Sequence, residues 1–193
     1  MFQASDFKLT HAGPSLVPQL AGTGLYQLLA VIAGIAVLAV SAHIKIPFYP
    51  VPVTMQTLAV LAIGMTYGTR LGGATVLGYL GAGAAGAPVF AGGAGIAYMM
   101  GPTGGYLLGF FVAAIVLGAL AERGWTRSMI TTAAAMVLGN AIIYLLGVSW
   151  LANLIGSAKA FEFGLLPFLY GDALKLVIAA VGVPFLWSKL HQK

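Results

Sequence analysis

The chain has 193 residues, of which 60% are hydrophobic and only 7% charged, and its mean hydropathy is +0.98. A soluble domain carries about a quarter charged residues, so this composition excludes a water-soluble globule and describes an integral membrane protein. The net charge of +5 comes from basic residues scattered through short connectors, which excludes a nucleic-acid-binding stripe, and the absence of cysteine excludes disulfides, thiolate metal sites and cysteine nucleophiles.

A hydrocarbon core about 30 Å thick needs on the order of 20 apolar residues per helix, and six such spans fit the chain. Residues 1–24, with Asp6, Lys8 and His11 ahead of Pro14 and Pro18, read as a short tail before a retained helix, since no cleavage site is evident. The first span covers 25–44 and ends at Lys45. The connector KIPFYPVPV follows, where Pro47, Pro50 and Pro52 oppose helix. A short second span covers 54–67, Arg70 marks a tight turn, and a third covers 71–87 up to Pro88. Residues 88–105 are apolar but too rich in glycine and proline for one regular helix. Backbone of that kind persists at membrane depth only where protein buries it or a cavity wets it. The fourth span covers 106–121 and stops at the Glu122, Arg123 and Arg127 cluster. The fifth covers 129–150, residues 151–166 with Lys159 and Glu162 form a mixed interfacial stretch, and the sixth covers 167–188. The whole is expected to be a single all-α membrane domain, 1–193, without a soluble appendage or a defensible repeat.

Six spans place both ends of the chain on one side. Lys8, Arg70, Arg123, Arg127, Lys189 and Lys193 then share that side, against Lys45 and Lys159 on the other. The positive-inside rule makes the termini cytoplasmic. The connectors 45–53, 88–105 and 151–166 face outward.

Asp172 and Lys175 are ionisable residues inside the sixth span, three positions apart and therefore on one helical face. Charges at membrane depth cost roughly 2.5–3.5 kcal/mol on insertion scales and are functional by default. The bland alternative is a mutual ion pair that lets both charges coexist in lipid. At about 1.5 Å per residue they lie roughly 7 and 12 Å into the helix after Pro167, in the outer half of the membrane. Gln56 and Asn140 bring amides, and Thr54, Thr57, Tyr79, Tyr106 and Tyr144 hydroxyls, either as ligand contacts or as hydrogen-bonding glue between helices. Phe48, Tyr49, Phe90 and Tyr98 either cap an apolar cavity or form an interfacial belt. The glycine-rich segment has no Gly-Lys-Ser/Thr and is no phosphate loop; its glycines, Gly93 among them, let backbone approach a ligand. Ala30, Ala33, Gly34 and Ala36 form a small-residue surface on the first span for close helix contact, within the chain or with another subunit. The histidines make no metal spacing, and four acidic residues leave little material for catalysis.

Four blocks, VPVTMQTLAVL at 51–61, APVFAGG at 87–93, GPTGGYLLGF at 101–110 and PFLYGDALK at 167–175, together resemble the BioY family. The resemblance implies an S-component-like bundle: the biotin-specific substrate-binding component of an energy-coupling factor transporter. It implies one biotin near the extracellular face, no cofactor, and partners that supply the energy, namely a transmembrane coupling subunit and a pair of cytoplasmic ABC ATPases. The family's polar ligand pair maps onto Asp172 and Lys175. Gln56, Phe90, Gly93, Tyr106 and Asn140 complete the expected ligand set, with Phe90 and Tyr106 flanking the ring. The coupling contact falls on Ala30, Ala33, Gly34 and Ala36, although the family's AxxxA spacing is imperfect here, Ala30 being followed by Gly34 and Ala33 by Val37. Rival expectations are an S component for another vitamin and an ion-coupled secondary transporter in which Asp172 carries a proton.

Overall fold

The computed structural model describes residues 24–169 together with 171, 172, 175, 181–183 and 185. The tail 1–23 and the basic end carrying Lys189, His191 and Lys193 lie outside the described residues, as does much of the sixth span. Among the described residues three helices are long and apolar enough to cross a membrane: α1 (Gly24–His43), α4 (Gly104–Glu122) and α5 (Met129–Ile155). Between α1 and α4 come two short strands, β1 (Lys45–Ile46) and β2 (Val53–Thr54), then α2 (Gln56–Ala84) and the short α3 (Gly95–Met99). Helix α6 (Ser157–Gly164) follows α5, and each described residue from 166 onward is helical.

The 29 residues of α2 do not form one rod. Gly68, at φ 77° and ψ −178°, breaks it into arms 56–67 and 69–84. The Gln56 amide donates to the Tyr79 hydroxyl at 2.7 Å, groups that about 35 Å of straight helix would separate. The arms are therefore antiparallel. A Cβ built on Gly72 would sit 3.4 Å from Gly64 Cα. Two helical arms thus stand where segments 54–67 and 71–87 were expected, but the reversal falls at Gly68 and not around Arg70, which lies inside the second arm. The reason is conformational, since a positive φ costs an ordinary L-residue roughly 1–2 kcal/mol and glycine almost nothing. The Glu122 carboxylate accepts from Thr69 N–H at 2.8 Å, a favourable place for an anion beside the first free amide of a helix.

Other boundaries shift for equally local reasons. The second arm stops at Ala84, ahead of Gly86 at φ 99°, and not at 87. Helix α4 begins at Gly104, two residues earlier than expected, because Gly105 lies flat against α5: a Cβ there would meet Trp150 Cβ at 2.3 Å. Helix α5 runs past Trp150 to Ile155 and ends at Gly156, whose φ of 86° starts α6 across the end of the bundle. The expectation of an all-helical chain is corrected by the small antiparallel ladder pairing Lys45 with Thr54 and Ile46 with Val53. Pro47, Pro50 and Pro52 all lie between the paired residues, so none removes a ladder donor.

The core is continuous, with Leu38, Met65, Val76, Leu117, Met136, Ile143 and Leu151 fully enclosed. Leu29, Ile32, Val37 and Val40 on α1, and Leu138 and Leu145 on α5, are exposed, as expected of side chains whose solvent is lipid. Charge separates to the two ends. Arg70, Glu122, Arg123 and Arg127 gather near the Gly68 reversal, while Lys45 lies at the opposite end beside Ala91.

Gly118 on α4 touches the reversal itself: a Cβ there would lie 2.4 Å from Thr69 N and 2.5 Å from Gly68 C, whereas one at Gly81 would meet nothing within 4 Å. Gly118→Ala should therefore destabilise by about 1–3 kcal/mol through overpacking against backbone that cannot yield. Thermal denaturation in detergent should show a lowered midpoint for Gly118→Ala and none for Gly81→Ala.

Candidate functional site

The start of α2, the middle of α5 and the last helix converge on one buried polar cluster. Asp172 and Lys175, 4% and 7% exposed, pair at 2.8 Å. The remaining protons of the Lys175 ammonium go to the Thr54 carbonyl at 2.7 Å and the Thr57 hydroxyl at 2.8 Å. All three donors are thereby used. Thr57 Oγ1 in turn donates to Asp172 Oδ1 at 3.1 Å, and the Tyr144 hydroxyl donates to Asp172 Oδ2. From the described residues the carboxylate thus accepts three hydrogen bonds of the roughly four it can take, which leaves one lone pair on Oδ2 open among them.

Local sequence explains this convergence. Thr54 ends β2 and Thr57 lies in the first turn of α2, so a strand carbonyl and a helix hydroxyl come from nearly adjacent residues. The i, i+3 spacing of Asp172 and Lys175 lets a four-carbon stem lie back along its own helix to the carboxylate.

Two cavities lie at this end of the bundle. The outer one, about 620 Å³, opens between the 45–52 connector and residues 91–103, with Lys45, Phe48, Tyr49 and Tyr98 in its wall. The inner one is about 30 Å³, room for one or two water molecules, and is lined by Thr54, Gln56, Thr57, Phe90, Tyr106 and Tyr144 among others. Pro52, Ala91, Tyr98 and Thr103 line both, forming the partition.

Gln56, Phe90 and Tyr106 of the expected ligand set thus face the inner cavity. Asp172 and Lys175 stand behind its wall and hold Thr54, Thr57 and Tyr144, which form that wall. Phe90, 2% exposed, stacks on Tyr98 at 5.2 Å and meets Tyr79 edge-on at 5.4 Å. Its ring fills the space where Gly83 has no side chain; a Cβ there would lie 2.0 Å from the ring edge. Tyr106 is stacked on Phe168 at 6.1 Å and anchored by its hydroxyl to the Gly164 carbonyl at 2.7 Å. Gly93 is exposed and lies beneath the Tyr98 ring, and Asn140 is half-buried one turn from Tyr144, its Oδ1 without a hydrogen-bond partner; neither is in the wall of either cavity. The small residues of α1 divide. Gly34 is buried against Thr75 and Tyr67, and the Ala30 carbonyl accepts from Tyr67, whereas Ala33 and Ala36 are exposed.

Tyr144 and Phe168 stand out in the structure beyond the expected set. Tyr144 offered a weak signal in sequence, a hydroxyl within an apolar span. Phe168 sits inside the PFLYGDALK block, where only its two charges attract notice.

The fold and this site define a class. The fold resembles the crystal structure of the S-component for biotin from an ECF-type ABC transporter with a TM-score of 0.74 and 26% identity, over 84% of this chain and 90% of that one. Among sequence relatives, the biotin transporter BioY of Thermotoga maritima is 43% identical over 76% of this chain and 86% of its own length. The probable biotin transporter BioY of Pyrococcus horikoshii is 39% identical over 76% and 87%. The profile of the BioY family matches residues 15–192, and the chain belongs to the BioY family.

Breaking the polar cluster from one side leaves a buried charge uncompensated, which costs about 3–5 kcal/mol, whereas removing both charges does not. Lys175→Met and Asp172→Asn should each lower the unfolding midpoint in detergent strongly. The double variant should be more stable than the sum of the two losses implies, the non-additivity expected of contacting residues.

Proposed function

We propose that this chain captures biotin as the substrate-binding subunit of an energy-coupling factor transporter. In this reading α1, the two arms of α2, α4, α5 and residues 167–188 are six membrane spans with both termini cytoplasmic, in the plasma membrane. The separation of Arg70, Arg123 and Arg127 from Lys45 supports that orientation. The cavities then open to the outside.

The observation that carries the reading is the buried Asp172–Lys175 pair that holds Thr57 and Tyr144 in the wall of the inner cavity from behind. Biotin offers a neutral ureido ring with two N–H donors and one carbonyl, an apolar thiophane ring and a carboxylate tail. The open lone pair of Asp172 suits a ureido N–H. Gln56 has one amide N–H on Tyr79 and a second for the ureido oxygen. Phe90 and Tyr106 supply flat apolar faces for the ring system. Vitamin-sized ligands occupy about 300 Å³ or more, far above the roughly 30 Å³ of the inner cavity. Seating one against Thr57 and Tyr144 therefore requires Ala91 and Tyr98 to separate from Pro52 and Thr103 and merge the cavities. Lys175 has no spare donor; a direct contact with ligand requires it to release Thr54 or Thr57.

Energy comes in this reading from a transmembrane coupling subunit and a pair of cytoplasmic ATPases. The exposed face of α1 with Ala33 and Ala36 is the proposed coupling contact, Ala30 and Gly34 being engaged with α2 through Tyr67 and Thr75. A secondary transporter driven by protonation of Asp172 fits the site less well, because neutralising that carboxylate removes the counter-charge of the buried Lys175 ammonium.

Equilibrium titration of the purified chain should show saturable binding of biotin and none of thiamine or riboflavin. Loss of a hydrogen bond to a charged group is worth about 1.5–3 kcal/mol, or roughly 10- to 100-fold in affinity. Asp172→Asn should weaken biotin binding to that extent and Tyr144→Phe by about tenfold. Wild-type affinity in both folded variants refutes the assignment. Uptake that collapses with the proton gradient while ATP is maintained favours the secondary transporter.

A further inference from the structure

The outer cavity holds a cation that the polar cluster does not use. Among the described residues Lys45 is the charged residue in its wall, and no carboxylate lines it. Asp172 is paired with Lys175, Glu122 holds Thr69 at the opposite end, and Glu162, in α6, is not part of the wall. The Lys45 ammonium donates to the Ala91 carbonyl. An ammonium has three donors, so two remain for a ligand. The stem is fixed by the β1–β2 ladder, in which Lys45 lies opposite Thr54. Residues paired across such a ladder have Cα atoms about 4.5–5.5 Å apart. The Thr54 carbonyl is itself a partner of Lys175. One strand pair therefore connects the inner polar cluster to a partly free cation at the outer mouth. Ala91, which accepts from Lys45, lines both cavities.

We propose that Lys45 is an anion subsite that pairs with the carboxylate tail of the ligand while its uncharged head lies at the Thr57–Tyr144 wall. This inference rests on the reading of the chain as a biotin-binding subunit and extends it. The geometry selects an elongated monoanion, polar at one end and charged at the other, over a neutral or cationic molecule of the same size. Attraction by a cation in the mouth of a concave site also raises the rate of encounter with an anion.

The test is equilibrium binding of biotin and of its neutral methyl ester to the full chain in detergent at low ionic strength, for wild type, Lys45→Gln and Lys45→Arg. Glutamine keeps a donor for Ala91 while losing the charge; arginine keeps the charge. Wild type should bind biotin about tenfold more tightly than the ester, at the lower end of what a charge-assisted hydrogen bond supplies at an exposed position. Lys45→Gln should weaken biotin alone and abolish the preference, Lys45→Arg should retain it, and added salt should shrink it in wild type. Equal weakening of both ligands by Lys45→Gln, an unchanged preference, or no preference in wild type overturns the subsite and leaves the biotin reading intact. A wild-type chain that binds neither ligand overturns both.

Discussion

An ammonium and a carboxylate buried inside an apolar bundle persist only if every polar atom around them is matched. Lys175 and Asp172 meet that requirement through Thr54, Thr57 and Tyr144, with all three ammonium protons placed. Desolvating the pair is unfavourable by several kcal/mol per ion, and only good geometry with additional hydrogen bonds offsets it. The consequence is positional. The start of α2, the middle of α5 and the last helix cannot move independently without exposing a charge to hydrocarbon. Thr57 and Tyr144 are thereby held in the cavity wall with their hydroxyl orientations set, which reduces the ordering a ligand must impose on binding.

Around that cluster the bundle is closed by missing side chains. Gly118 seats α4 on the Gly68 reversal, Gly105 seats it on α5, and Gly83 leaves the space that Phe90 fills. Without a hydrophobic force between helices in lipid, close packing carries much of the association, and glycine permits the nearest approach. The same packing shapes the site. Phe90 bridges Tyr79 and Tyr98, and Tyr79 links Gln56 to the Val89 carbonyl. The partition between the two cavities is therefore connected by side-chain contacts to the reversal of α2 and to the glycine-rich segment.

The ends of the bundle differ in character. At the Gly68 end short connections and basic residues predominate. At the other end irregular backbone, a two-residue ladder and aromatic side chains surround a cavity. Irregular backbone at membrane depth is tolerated where it lines a cavity or is covered by protein; Ala91, Gly92, Tyr98 and Gly101 line the outer cavity and Phe90 is buried.

Much of this was legible in the sequence because lipid imposes simple rules. Apolar run length marked α1, α4 and α5, proline and glycine marked the irregular segments, and the isolated charges at 172 and 175 marked the site. Gln56, Phe90 and Tyr106, singled out in the sequence, line the inner cavity. The reversal at Gly68, the alliance of Thr57 and Tyr144 with Asp172, and the inward turn of Gly34 away from Ala33 and Ala36 were decided only by tertiary structure. Composition and periodicity report how far a residue lies along its helix, because burial repeats every 3.6 positions. Which residue of another helix it meets depends on rotation and separation between helices, and these are set by packing summed over the whole bundle, of which no single stretch of sequence carries a record.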